Sequence, residues 1–389
     1  MSAPVSTRWK RAALVLFSTL FSLGLAEVAV RVLGITDPVF RETDPVLGWA
    51  PVPNADGWWT REGRAHVHIT EYGFRGVDVP PGMPTPGTLR VAVVGDSYVE
   101  ARQVALEDTF GARLQHELGG CAHQPIEVLA FGVSGFGTAQ EYLLYRERVA
   151  AYHPDVVVLG FLTGNDIADN EPQLRPGGGS SPYFSVGTRG ELVLDESFRD
   201  SEIFRTRSED SGLLWLHRHS QLMRLIHGIG GHGDGAMRGE LGLSDEIYAA
   251  PTDDRWRDAW VRTEAILARF ATDVHHDGAR FAVVLISNAI QVDPDREVRE
   301  RYRASIGSED LSYPNARIVA AGTRDDYPVL DLVPPLREYA EAHRTQLHGF
   351  PNTTMGTGHW NELGHRVAAE ETSRWMCAEL FSGTMEPIE

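Results

Sequence analysis

The sequence predicts an α/β protein built on a parallel sheet, and three observations carry that reading. Short apolar runs recur at residues 91–94, 126–133, 155–162 and 280–290. Stretches of mixed polarity with helical spacing separate them. The first three runs each end in glycine beside a polar side chain. A continuous apolar run suits a strand buried on both faces, the condition of a parallel sheet covered by helices. Strands alternating with helices then imply right-handed crossovers.

Composition narrows the class. The chain has 389 residues, enough for two domains or one α/β domain with additions. A net charge of −18 argues against a general nucleic-acid binder, which needs clustered Lys and Arg to neutralise phosphates. It equally disfavours electrostatic adhesion to anionic lipid. The two cysteines, Cys121 and Cys377, lack metal-ligand spacing and are read as unpaired, buried thiols.

At the N-terminus Arg8, Lys10 and Arg11 precede an uncharged, mostly apolar run over residues 12–26. Residues 1–34 are therefore read as a membrane anchor or a signal peptide, with the anchor favoured. Gly24-Leu-Ala26 offers a cleavage site for the second reading. Glu27 and Arg31, four apart, would face each other on a helix and soften the cost of lying near lipid. Both readings place the basic flank inside and the remainder outside the cytoplasm, facing the periplasm or extracellular side.

Residues 35–88 form a Pro-, Gly- and Trp-rich lead-in. Its alternation at His66-Val-His-Ile-Thr, followed by Tyr72-Gly-Phe-Arg75, predicts a short hairpin. His66 and His68 share a strand face, but no third ligand accompanies them, so they read as surface residues. Pro80-Pro-Gly-Met-Pro-Thr-Pro-Gly is a linker.

The first core strand ends in Gly95-Asp96-Ser97, and a helix follows over 109–118. The second ends in Gly132-Val-Ser-Gly135-Phe-Gly137-Thr before a helix at 139–151. The third ends in Thr163-Gly164-Asn165-Asp166. Residues 167–253 break the rhythm as a long insertion, with a helical stretch over 212–226. Alternation resumes with a helix at 254–276, a strand at 280–290, a helix at 295–304, a strand at 327–333 and a helix at 335–344. His359-Trp-Asn-Glu-Leu-Gly-His365 opens a closing helix that runs to about residue 381.

Ligands of an open parallel sheet sit at the carboxyl ends of its strands. Ser97, Gly135 and Asn165 fall at three such ends, and His359 lies where it could reach them. A serine needs a base, and imidazole has the right basicity. The Ser97 and Gly135 N–H groups and the Asn165 amide would then stabilise an oxyanion. Asp96 and Asp166 read as shaping their own turns.

These four blocks resemble those of the SGNH/GDSL hydrolase family: Gly95-Asp96-Ser97, the Gly135 block, Gly164-Asn165-Asp166 and the His359 block. The resemblance covers roughly residues 89–166 and 327–381. It implies a three-layer α/β/α, flavodoxin-like fold over residues 89–381 and hydrolysis of an ester or O-acetyl group without metal or cofactor. It also implies Ser97 as nucleophile, His359 as base, and Gly135 and Asn165 in the oxyanion hole. A small-molecule or glycan ester is the implied substrate. Two departures stand out. The acid usual just before the histidine is replaced by Gly356 and Thr357, leaving Thr357 as a neutral acceptor or Glu362 as a substitute. Ala130 stands where related second blocks often have Asn.

The competing readings are fewer. His365 is a rival base, though packing is the simpler role for it. A binuclear metallophosphatase lacks the histidines it needs, and the glycines at 132, 135 and 137 do not have dinucleotide-binding spacing. Acyl transfer by a membrane-tethered O-acetyltransferase shares the same machinery. A non-catalytic glycan- or partner-binding protein is the alternative from another class, motivated by the missing acid.

Overall fold

A computed structural model describes residues 5–34, 38–76, 78–121, 124–175, 180–208, 220–230 and 243–381. The chain divides into two compact units.

The smaller unit comprises residues 1–39 and 209–238. Its helix Val5–Leu33 contains a 26-residue stretch, Arg8–Leu33, long and apolar enough to cross a membrane. Glu27 and Arg31 pair at 2.7 Å, as their spacing predicts. Glu27 also accepts from Ser220 Oγ and from the N–H groups of Gln221 and Leu222, satisfying the first donors of helix Gln221–Gly230. Much of the helix predicted over 212–226 lies outside the described residues.

The larger unit is organised by a five-stranded parallel sheet. In chain order the strands are β1 (Arg41–Asp44), β2 (Gly48–Pro51), β3 (Asp56–Trp59), β4 (Ala65–His68), β5 (Leu89–Gly95), β6 (Ile126–Gly132), β7 (Val156–Leu162), β8 (Tyr183–Val186), β9 (Leu192–Asp195), β10 (Arg280–Ile286) and β11 (Val329–Asp331). The sheet runs β11-β10-β7-β5-β6, with every pair parallel. The three small antiparallel hairpins β1–β2, β3–β4 and β8–β9 stand outside it.

Alternation within the buried strands explains the layers. Val91, Val93, Val156, Val158, Ala282 and Val284 face one way, against helices Phe110–Leu118, Val333–His343 and Glu362–Glu379. Ala92, Val94, Val157, Leu159, Val283 and Leu285 face the other, against helices Thr138–Leu144 and Asp254–His276. The result is the expected α/β/α sandwich. Each fully buried valine contributes about 1.5–3 kcal/mol, so the sheet can hold its strand ends rigidly. Trp256, Trp260 and Trp360 are core residues.

Register aligns those ends. Gly95 stands opposite Gly132 on one side and Gly160 on the other. The chain passes from β5 to β6 in one direction and returns to β7 on the opposite flank, so β5 and β7 flank the switch point where such sheets bind ligands.

Several expectations need correcting. The hairpin partner of β4 is β3, upstream, and not Tyr72–Arg75. Arg75 instead turns inward and donates to the carbonyls of Glu100, Ala101 and Val104. The helix expected over 139–151 ends at Leu144 and continues as a wider turn over Tyr145–Val149. A helix at Tyr313–Arg324 and the β8–β9 hairpin were not foreseen. Gly95 is needed for space rather than for an unusual backbone angle: a Cβ there would lie 2.5 Å from Val99 Cγ2. Ala130 lies inside strand β6 and not in the turn that follows. Cys121 and Cys377 form a disulfide with Cα atoms 6.2 Å apart, contrary to the reading of free thiols. Their separation along the chain hid a proximity created when helices Phe110–Leu118 and Glu362–Glu379 pack side by side.

Candidate active site

Ser97 opens the four-residue helix Ser97–Glu100 at the end of β5. Asp96 caps it, accepting the Tyr98 N–H at 2.9 Å. Gly132 permits the close approach, since a Cβ there would fall on the Val99–Glu100 backbone. The next turn is tied to the same helix: Glu100 accepts from the N–H of Ser134 at 2.8 Å and from its hydroxyl. Gly135 adopts φ +79°, which only glycine takes cheaply.

His359 arrives from the far end of the chain. Its Nε2 lies 2.7 Å from Ser97 Oγ. The loop carrying it rests on buried polar groups. His348 contacts the Gly358 carbonyl at 2.7 Å and Ser287 Oγ at 3.0 Å, and Tyr98 donates to the same carbonyl. Trp360 Nε1 donates to Ser287 Oγ. Burial lowers the His348 pKa to about 4, so this strut is neutral.

The carboxylate that meets His359 is Glu62, from the lead-in. One of its oxygens lies 2.5 Å from His359 Nδ1, and the other accepts the His359 backbone N–H at 2.8 Å. Burial pushes this carboxyl up, but the hydrogen bonds and charge of His359 outweigh it and hold the pKa below the usual range. Two sets of contacts place Glu62. Trp59 Nε1 donates to its carbonyl, and Asn352 bonds Gly63 N–H and the carbonyls of Thr60 and Gly63. Gly358, at φ +76°, leaves room for the carboxylate, because a Cβ there would land on Glu62 Oε1.

Thr357 does not serve as the orienting group. Its hydroxyl is exposed and donates to the Thr354 carbonyl. Glu362 is exposed at the start of the closing helix. His365 is fully buried, with neither ring nitrogen bonded to protein, and stacks edge-on against Trp360. Burial lowers its pKa to about 3, so it is a neutral packing residue rather than a second base.

Asn165 follows β7, and its Nδ2 lies 3.4 Å from Asp96 Oδ2. Asp166 holds the Asn165 turn by accepting the Leu162 N–H at 2.7 Å. Among the described residues the N–H groups of Ser97 and Gly135 donate to no protein acceptor, so both are free to receive a substrate oxygen. No group of His, Cys, Asp and Glu that could hold a metal occurs among the described residues. His66 and His68 share the exposed Asp56 carboxylate on the lead-in hairpin. A cavity of about 390 Å³ lies beside edge strand β6, lined by Phe74, Val99, Leu129 and Phe131 among others, and touches none of the five site residues.

Comparison with known proteins finds no matching family model and no matching curated protein. Among solved structures, an acetylxylan esterase from Geobacillus stearothermophilus is 11% identical, covering 74% of this chain and 93% of its own at a TM-score of 0.36. A GDSL-like lipase from Bacteroides thetaiotaomicron is 12% identical, covering 76% and 91% at 0.33. A lipase from a goat rumen metagenome is 11% identical, covering 74% and 96% at 0.39. At these values the likeness carries no functional argument, and the α/β/α assignment rests on the sheet itself.

Proposed function

We propose that the chain is a serine esterase of SGNH type, acting on an ester or O-acetyl group. One observation carries the reading: a line of hydrogen bonds runs from Ser97 Oγ through His359 to Glu62. Nucleophile, base and orienting acid thus stand in the order that acyl transfer requires.

In the reaction, Ser97 Oγ attacks the ester carbonyl while His359 Nε2 takes its proton. The Ser97 and Gly135 N–H groups and the Asn165 amide stabilise the oxyanion. Collapse breaks the bond to the alcohol, which leaves with the proton from His359. Water, deprotonated by His359, then releases the acid and restores Ser97. Glu62 stays ionised throughout and steadies the imidazolium. Its place beside His359 supports the catalytic reading over a non-catalytic binder. No step calls on a metal or cofactor.

The reading extends to location. An apolar helix of spanning length and a disulfide both suit an exported, membrane-tethered enzyme, because disulfides persist in oxidising compartments. The test is labelling of the full chain in detergent with a fluorophosphonate. Modification mapped to Ser97, with 4-nitrophenyl acetate hydrolysis abolished in Ser97→Ala, is expected. Hydrolysis that survives this substitution refutes the proposal.

A further inference from the structure

The chain is strongly acidic overall, yet two arginines, Arg41 and Arg175, border the Gly135 turn. The charges of Arg102, Arg175 and Arg207 repel that of Arg41, and the Glu100 carboxylate partly offsets them. Two of these arginines have clear structural partners. Arg102 pairs with buried Glu100 at 2.6 Å. Arg175 pairs with Asp169 and donates to the Gly135 carbonyl and Gln140. Arg41 differs. Among the described residues it has no hydrogen bond and no ion pair, the Glu100 carboxylate acting on it only through space; its guanidinium lies over the Trp49 ring, 5.2 Å from the centroid. Arg175 lies over the same ring, also at 5.2 Å.

The position of Arg41 gives this a meaning. A methyl group on Gly135 would lie 3.7 and 3.8 Å from its two terminal nitrogens. The guanidinium therefore borders the backbone that supplies an oxyanion-hole donor. Its side chain keeps access to solvent, while partial burial of the guanidinium and repulsion from Arg102 lower its pKa to about 10, so it remains charged at neutral pH. A purely structural arginine would look like Arg75, whose two terminal nitrogens donate to three backbone carbonyls. Stacking on Trp49 instead holds the fork in place with its donors open, ready for a bidentate acceptor.

We propose that Arg41 is a substrate-specificity residue, and that the site takes an ester carrying an anionic group, carboxylate, sulfate or phosphate, beside the scissile bond. The proposal rests on the serine-esterase reading and deepens it.

The test compares matched esters on the full chain in detergent. One arm puts the charge on the acyl side, mono-4-nitrophenyl succinate against 4-nitrophenyl valerate. The other puts it on the alcohol side, 4-acetoxybenzoate against 4-acetoxybenzamide. In one arm the anionic member should show a kcat/KM roughly ten- to hundredfold higher, the range of a charged hydrogen bond. Arg41→Gln should bring that ratio to near one, Arg41→Lys should retain part of it, and added salt should erode it. A ratio near one in both arms of the parent protein, or a preference untouched by Arg41→Gln, overturns the proposal. Turnover that survives Ser97→Ala defeats the serine reading separately, and the charge preference is then still judged by Arg41→Gln. If no ester turns over, calorimetry with 4-acetoxybenzoate decides: binding lost in Arg41→Gln supports the anion site, and equal binding refutes it.

Discussion

Replacing Glu62 with Gln is the sharpest perturbation of the site, because one carboxylate does two jobs. It accepts both the ring Nδ1 proton and the backbone N–H of His359, at 2.5 and 2.8 Å. Gln is nearly isosteric, and its carbonyl oxygen can keep only one of those bonds. If the oxygen keeps the backbone N–H, the amide NH2 faces Nδ1 and can only donate. Nδ1 must then become the acceptor, the proton moves to Nε2, and Nε2 can no longer take the Ser97 proton. A comparable exchange in trypsin-like enzymes costs about 10⁴ in turnover. Because Glu62 is partly exposed, about 10³ is the expected loss here in kcat for 4-nitrophenyl acetate, with KM little changed. Fluorophosphonate labelling of Ser97 should slow in parallel. Circular dichroism and the melting temperature serve as folding controls, since the Asn352 and Trp59 contacts do not involve the carboxylate. Turnover within tenfold of the parent, in a folded protein, would show that Glu62 does not orient the base.

Three further outcomes follow from the same geometry. Asn165→Ala removes one oxyanion donor and should lower kcat by about 10²–10³, as judged by steady-state kinetics with labelling still at Ser97. His365→Leu should leave kcat unchanged, and its effect on folding should depend on pH. A histidine whose pKa is depressed in the fold contributes stability above its unfolded value near 6.5 and loses it as pH falls. Urea unfolding of parent and variant should therefore show their difference shifting by about 2 kcal/mol in favour of the variant from pH 6.5 to 5. Replacing Cys121 and Cys377 with serine should cost about 2–5 kcal/mol of stability, seen as a lower melting temperature, with kcat retained at room temperature.

The candidate site blocks at the strand ends were legible because local signals carry them. An apolar run buried on both faces, a glycine that lets the next helix close down, and a capping Asp are all decided within a few residues. Register then adds little freedom: once β5, β6 and β7 pair in parallel, Ser97, Gly135 and Asn165 share one rim. His359 was legible for a weaker reason, that it precedes a helix whose apolar face must return to the sheet.

Glu62 was not legible. Nothing in Arg61-Glu62-Gly63 separates this carboxylate from one on a solvated loop, and it stands 297 residues from the histidine it serves. The clue was indirect: Gly356 and Thr357 left the base without an acid. The disulfide was hidden in the same way, its cysteines 256 residues apart. Arg41 has no motif of its own either, and its place beside Gly135 exists only because hairpin β1–β2 packs there, where Trp49 Nε1 donates to the Ser134 carbonyl.

From its residues alone, then, this chain specifies a parallel sheet, the glycine-lined rim and three of the chemical groups upon it. Packing alone brings the Glu62 carboxylate to His359, joins the two cysteines and sets the Arg41 guanidinium beside Gly135. The reason is physical. Hydrophobic period and backbone sterics act between near neighbours, whereas a charge acquires a role only when folding removes its water and puts one particular partner in its place.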